Sequence, residues 1–137
     1  MFRFDFIRSV VNIFISIFTK IQKISNDNKD LVGKSLGLLC NEFKRAPNVA
    51  FAINANIINV LTATLYDDIS FLYPTLIQNL LRCLHILSFN IDGLKLIANN
   101  KSLMKKLFRL IILEQFKKNA SLAAEILLSV SLSPQGW

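Results

Sequence analysis

Apolar positions recur along this chain at intervals of three and four, with polar positions between them at the same period. That is the spacing of one face of an α-helix. Near the start, Phe2, Phe6, Val10, Ile13, Ile17, Ile21 and Ile24 form one such series, and Asp5, Ser9, Asn12, Ser16, Thr19 and Lys23 make a narrow polar stripe beside it. The pattern predicts a helix over residues 2–24 with most of its circumference buried. Ser25-Asn26-Asp27-Asn28-Lys29-Asp30 interrupts the period with residues that favour turns and helix N-caps. A second helix is expected from about Leu31 to Lys44, with Leu31, Ser35, Leu38, Leu39, Phe43 and Ala46 near its inner side. Arg45-Ala46-Pro47-Asn48 ends it, because proline lacks an amide donor and restricts the residue before it.

Further on, a short helix and then a longer one are expected between Asn48 and Leu65, and Asp67-Asp68 and Tyr73-Pro74 mark a loop. A strongly apolar helix runs from Thr75 to about Phe89 and is broken by Asn90-Ile91-Asp92-Gly93. Short and long helices again cover 93–116, and a last one runs from about Asn119 to Leu132, before Ser133-Pro134-Gln135-Gly136. No segment alternates convincingly with the period of two that marks a strand. The expected fold class is all-α.

The chain also resembles itself. Leu36, Leu39, Cys40, Phe43, Pro47 and Ile53 stand 44 residues before Leu80, Cys83, Leu84, Leu87, Ile91 and Ile97. Leu80, Cys83, Leu84, Leu87 and Gly93 in turn stand 43 residues before Ala123, Ile126, Leu127, Val130 and Gly136. Ile57 and Leu61 match Leu103 and Leu107 once a two-residue insertion is allowed. Each unit reads as a long helix, a turn, a short helix and another helix. Such a unit hides its apolar face only by stacking on a neighbour.

At this period and with this turn, the sequence resembles the armadillo repeat. The stretch that carries the resemblance is Cys83-Leu84-His85-Ile86-Leu87-Ser88-Phe89-Asn90-Ile91-Asp92-Gly93-Leu94-Lys95-Leu96-Ile97, continuing to Leu103 and Leu107. It looks like the family's third helix running through a polar turn into the first helix of the next repeat. Residues 119–136 echo it, residues 31–61 give a weaker copy, and HEAT-type helical hairpins fit the same leucine pattern. The resemblance implies one domain over 1–137, an armadillo/HEAT-like solenoid of about two and a half to three repeats. Its units would be 31–65, 75–116 and 119–137, with 1–24 as an N-terminal helix or degenerate repeat. Peptide-binding members of the family clamp an extended peptide with an asparagine on the third helix. The matching positions here are Glu42, Ile86 and Ser129, and the only tryptophan is Trp137. The resemblance therefore implies a scaffold that engages a helix, a folded domain or another repeat array. Divergent leucine-rich repeats without the clamp also resemble the large centriole-assembly proteins of the rotatin type, which implies a cytoplasmic place at the centrosome or cytoskeleton.

Composition narrows the function classes. Of 137 residues, 53% are hydrophobic and 18% charged, with a mean hydropathy of +0.44, which excludes a disordered chain and exceeds what a free-standing soluble monomer usually carries. Part of that excess is expected to face a partner, a membrane or further chain, and the sequence stops at Trp137 where another repeat would begin. The run Ser9–Phe18 sits behind Arg3 and Arg8 like a signal peptide, but no small-residue cleavage site follows, and it is too short to span a bilayer. Two cysteines, Cys40 and Cys83, make no secreted disulfide framework and read as small buried hydrophobes in a reducing compartment.

The net charge is +7, and most of it lies in one place. Between residues 95 and 118 stand Lys95, Lys101, Lys105, Lys106, Arg109, Lys117 and Lys118 against the single acid Glu114. Lys101, Lys105 and Arg109 share one helical face, opposite Leu103, Leu107, Leu110 and Ile111. Such a stripe is either a solvated outer face or a docking surface for an acidic protein, with lipid headgroups and nucleic acid behind. Only Phe108 and Phe116 stand nearby to stack on bases, which ranks nucleic acid low.

Chemistry is absent from the motifs. His85 is the only histidine, and Cys83, two residues away, points to another side of the helix, so no zinc pair forms. Asp67-Asp68 reads as an N-cap, and there is neither a phosphate-binding glycine loop nor a Gly-x-Ser-x-Gly elbow. The expectation is a non-enzymatic protein-interaction scaffold, without metal or cofactor and able to self-associate through open solenoid ends. Its candidate partner-binding residues are Lys101, Lys105, Arg109, Arg82, His85, Glu42 and Ser129. The alternative is a membrane-surface protein that uses residues 2–21 together with the basic stripe.

Overall fold

A computed structural model describes Asn12, Ile13 and Ser16 and residues 27–44, 46–65, 73–112 and 117–132. Within these, seven helices follow one another and no strand occurs. They are α1 (Lys29–Glu42), α2 (Ala46–Asn54), α3 (Ile57–Thr64), α4 (Pro74–Leu87), α5 (Ile91–Asn99), α6 (Lys101–Ile112) and α7 (Lys117–Ser131). The protein is all-α over its described residues, and no helix among them is long and apolar enough to cross a membrane.

Helix α1 begins at Asn28, whose carbonyl accepts from Val32 N at 3.0 Å, and carries Asp30 in its first turn, where the helix dipole favours an acid. Its buried side chains are Val32, Leu36 and Leu39, followed by Phe43 just past its end. This corrects the expected inner face: Leu31 and Leu38 are 52% and 48% exposed, and half-buried Ser35 turns its hydroxyl back to Leu31 O at 2.8 Å. Two series run side by side on this helix about 100° apart. Only Val32-Leu36-Leu39-Phe43 is apolar at every step, and that series meets α4. The helix also stops earlier than expected. Phe43 and Lys44 form a turn, and Pro47 falls in the first turn of α2, where a missing amide donor costs nothing.

Between α2 and α3, Asn56 adopts a left-handed conformation with φ of 68°, and Asn59 Nδ2 donates to its Oδ1 at 2.7 Å. Asparagine tolerates that region better than most side chains. The two helices are nearly equal, nine and eight residues, so the expected lengthening fails here. The last turn of α3 carries Thr62 and Thr64, whose hydroxyls bond back to Ile58 O and Val60 O, a habit that weakens a helix. The expected short-then-long order holds in the next pair, with nine residues in α5 and twelve in α6, although α5 already begins at Ile91, inside the expected break. Asn90 caps α5 by accepting from Asp92 N at 2.9 Å and Gly93 N at 3.1 Å.

The core follows α4. Leu76, Ile77, Leu80, Leu81, Cys83, Leu84 and Leu87 are all buried, because α1 packs on one side of this helix, α7 on another, and α3 also touches it. Helix α6 packs on α7 through Leu103, Leu107 and Leu110, against a set that includes Ala123, Ile126 and Val130. Polar ties fix the neighbours. Asn100 accepts from Leu103 N at 3.0 Å and donates to Thr62 Oγ1 at 3.2 Å, and Lys106 Nζ reaches Thr62 O at 3.1 Å. Buried Asn119 at the start of α7 donates to Pro74 O at the start of α4, at 3.1 Å.

Of the N-terminal helix expected over 2–24, only Asn12, Ile13 and Ser16 are described; all three are helical and exposed. Ile13 was expected on the buried side, yet it is 57% exposed, and no described element covers it. The rest of that segment, Asp67-Asp68, residues 113–116 and the stretch after Leu132 lie outside the described residues.

Candidate functional site

The three long helices α1, α4 and α7 lie in sequence, each packed on the next. Their inner faces are made of the matched positions Leu36, Leu80 and Ala123, then Leu39, Cys83 and Ile126, then Phe43, Leu87 and Val130, all buried. Two or three residues away around each helix is a second series that stays out of the core. It is Arg82, His85, Ile86 and Phe89 along α4 and the turn after it; Glu125, Leu128, Ser129 and Leu132 along α7; and Leu38, Asn41 and Glu42 along α1. Every one of these is exposed or half-buried. The spacing of three, four and seven residues puts each series on one helical stripe.

Four of the sequence-predicted residues, Glu42, Arg82, His85 and Ser129, therefore fall on these stripes. His85 joins two of them. Its Nε2 lies 3.6 Å from Glu125 Oε2 across the α4–α7 contact, and its ring meets that of Phe89 at a centroid distance of 4.9 Å. Ser129 is turned along its own helix, donating to Glu125 O at 3.1 Å. The other three, Lys101, Lys105 and Arg109, are exposed on α6, a helix outside the long-helix row. Leu103, Leu107 and Leu110 are buried opposite them, and Ile111 is half-buried. Lys106 departs from the cluster, since its ammonium is drawn onto the end of α3.

Sequence reasoning missed the apolar members of the stripes. Phe89 is 71% exposed and Leu132 74% exposed, and Leu128 is exposed with them. Such side chains seldom stand together on a surface without a use. Their signal was available in the matched frame, where Phe89 precedes Leu132 by 43 residues and His85 precedes Leu128 by the same interval. Next to Phe89 a cleft of about 350 Å³ opens between the ends of α1 and α4 and the start of α2, lined by Phe43, Lys44, Val49, Ile86, Phe89 and Asn90. Its floor is apolar, and among the described residues that line it Lys44 supplies the only charge. A lining of that kind accepts a hydrophobic side chain and favours an acidic neighbour to it.

A second grouping was also missed. Cys40 on α1 and Cys83 on α4 are free thiols, half-buried and buried respectively, and each shifts the titration of the other. Cys83 Sγ also lies 3.5 Å from Leu36 O. Among the described residues no group of three or more histidine, cysteine or acidic side chains is placed to hold a metal ion.

No family model matches the chain, and no curated protein or solved structure matches it either.

Proposed function

We propose that this chain is a non-enzymatic protein-interaction module, an armadillo-like stack of helices whose row of long helices carries the binding face. The observation that bears most weight is the exposed set Phe89, Leu128 and Leu132 on the outer stripes of α4 and α7 and the turns after them, flanked by Arg82, His85 and Glu125 and continued by the cleft at Phe43, Val49 and Ile86. The solenoid reading is supported by the order of packing, α1 on α4 and α4 on α7, and by long-range hydrogen bonds that join positions 38 to 47 residues apart. Apolar anchors in a polar rim are the usual make-up of an interaction hot spot. The partner that suits the face is an amphipathic helix that seats an apolar side chain in the cleft and brings an acidic residue to Lys44 and Arg82. A photo-crosslinking residue placed at Leu128 should capture a protein in cells and lose it when Phe89→Asp is added. The same residue at exposed Lys95, on α5, should capture none of it. Equal capture from both positions would remove the face from consideration.

One observation favours a second reading. On α6 the exposed residues Lys101, Lys105 and Arg109 are interleaved with exposed Phe108 and Ile112. Basic heads beside apolar side chains suit an anionic lipid surface. Flotation with vesicles containing phosphatidylserine tests it. Cofloating that falls with salt and disappears in Lys101→Glu/Arg109→Glu would establish the membrane surface, and an absence of cofloating would end that reading.

A further inference from the structure

The interaction face makes no use of the thiol pair between α1 and α4. Two cysteines that the sequence separates by 43 residues stand at the contact of the two long helices, where Cys83 Sγ lies 3.5 Å from Leu36 O, one helical turn before Cys40. Cys40 is half-buried and open to small solutes, and Cys83 is fully buried behind it. We propose that Cys40 and Cys83 form a peroxide-oxidisable dithiol site, in which a hydroperoxide converts the pair into a disulfide that ties α1 to α4.

The roles of the two sulfurs follow from their surroundings. The hydrogen bond from Cys83, together with the positive charges of Arg82 and Lys44, outweighs burial and brings the Cys40 thiol down to about 6. Cys40 is then largely thiolate at neutral pH, the form that attacks peroxides. Cys83 is driven the other way by that same hydrogen bond, by burial and by the charge on Cys40, so it waits as the neutral thiol. In the first step the Cys40 thiolate attacks one peroxide oxygen. The S–O bond forms, the O–O bond breaks, and the departing oxygen leaves as hydroxide or alkoxide and takes up a proton. Cys40 is now an uncharged sulfenic acid, and two of the three influences that held the proton on Cys83 have gone. In the second step the Cys83 sulfur attacks the Cys40 sulfur, the S–S bond forms, the S–O bond breaks, and the Cys83 proton leaves with the hydroxide as water. The two thiols have lost two electrons in total, and these reduce the peroxide bond.

The site shares Arg82 and Lys44 with the interaction face, but its test needs no partner. The full chain is treated with hydrogen peroxide, blocked with N-ethylmaleimide under denaturing conditions and analysed by intact mass and peptide mapping. The expected product has lost two hydrogens, carries a Cys40–Cys83 cross-linked peptide pair and no maleimide, and returns to the dithiol with dithiothreitol. In Cys83→Ser the reaction should stop at a sulfenic acid on Cys40 that dimedone traps, whereas Cys40→Ser should leave Cys83 slow to react. Three results would overturn the proposal: both thiols still fully maleimide-reactive after peroxide, a disulfide formed only between two chains, or sulfinic acid on Cys40 with Cys83 still reduced. The wild-type mapping decides the matter even if a serine variant folds poorly.

Discussion

Gly93 stands where α5 leaves the Asn90 cap and passes closest to the end of α4. A methyl group built there would overlap the backbone carbonyl of Leu87, which cannot move without unwinding α4, and would also crowd the Ile53 side chain, which can turn away. Gly93→Ala should therefore lower stability by about 2 kcal/mol in urea denaturation, the magnitude of an overpacked core site. Gly37, in the middle of α1 with open space around it, is the control: Gly37→Ala should raise stability by about 0.5–1 kcal/mol through better helix propensity. At Cys40 the pH dependence has a definite sign. Its thiol lies below the usual value, so the reactive thiolate is already formed once the pH passes about 6. Its alkylation by iodoacetamide should level off near neutrality, when an ordinary thiol would still be gaining rate up to pH 9 and beyond. Cys83 and Arg82 from α4 and Lys44 from the turn after α1 are the groups that set this. Arg82→Ala should move the inflection upward.

At the level of single helices, α1 separates two ways of reading the same leucines. Leu36 is fully buried and Leu38 is nearly half exposed. Leu36→Ala should lower stability by about 3 kcal/mol, and Leu38→Ala by no more than about 0.5 kcal/mol. The sequence made the long helices legible within about two residues, because each carries an unbroken apolar series and ends at a polar cluster such as Asn90-Ile91-Asp92. The inner face of α1 was less legible when the helix was considered alone, since Leu31 and Leu38 are as apolar as Val32 and Leu39. The structure decides for Leu36, Leu39 and Phe43, the residues that the 44-residue frame pairs with Leu80, Cys83 and Leu87. Other features could not be read locally. The last turn of α3 has threonine hydroxyls bonded back to its own carbonyls, and Lys106 leaves the basic cluster for the Thr62 carbonyl, 44 residues away. The Cys40–Cys83 contact escaped because the matched frame pairs Cys40 with Leu84 and Cys83 with Leu39, and only the lateral packing of α1 on α4 brings the sulfurs together.

For the molecule as a whole, the exposed apolar side chains are the feature with the widest reach. Phe89, Leu128 and Leu132 on the long-helix row and Phe108 and Ile112 on α6 are among the large apolar side chains left exposed. If the long-helix row is the binding face, Phe89→Asp together with Leu128→Asp should abolish partner capture while leaving the thermal midpoint within a few degrees, because neither side chain helps fill the core. Light scattering checks whether the same surface draws copies together, in which case the double variant should lower the average mass at high concentration. The centre of the stack has a different consequence. Among the described residues, helix α4 is flanked on both sides by another long helix, while α1 and α7 have such a neighbour on one side only. Either outer helix can fray without disturbing the other, but α4 opens only after both of its supports have gone. Its backbone amides around Leu80 and Leu84 should accordingly be the last to exchange with deuterium, at a rate set by global unfolding. Those of α1 and α7 should exchange earlier, through separate local openings.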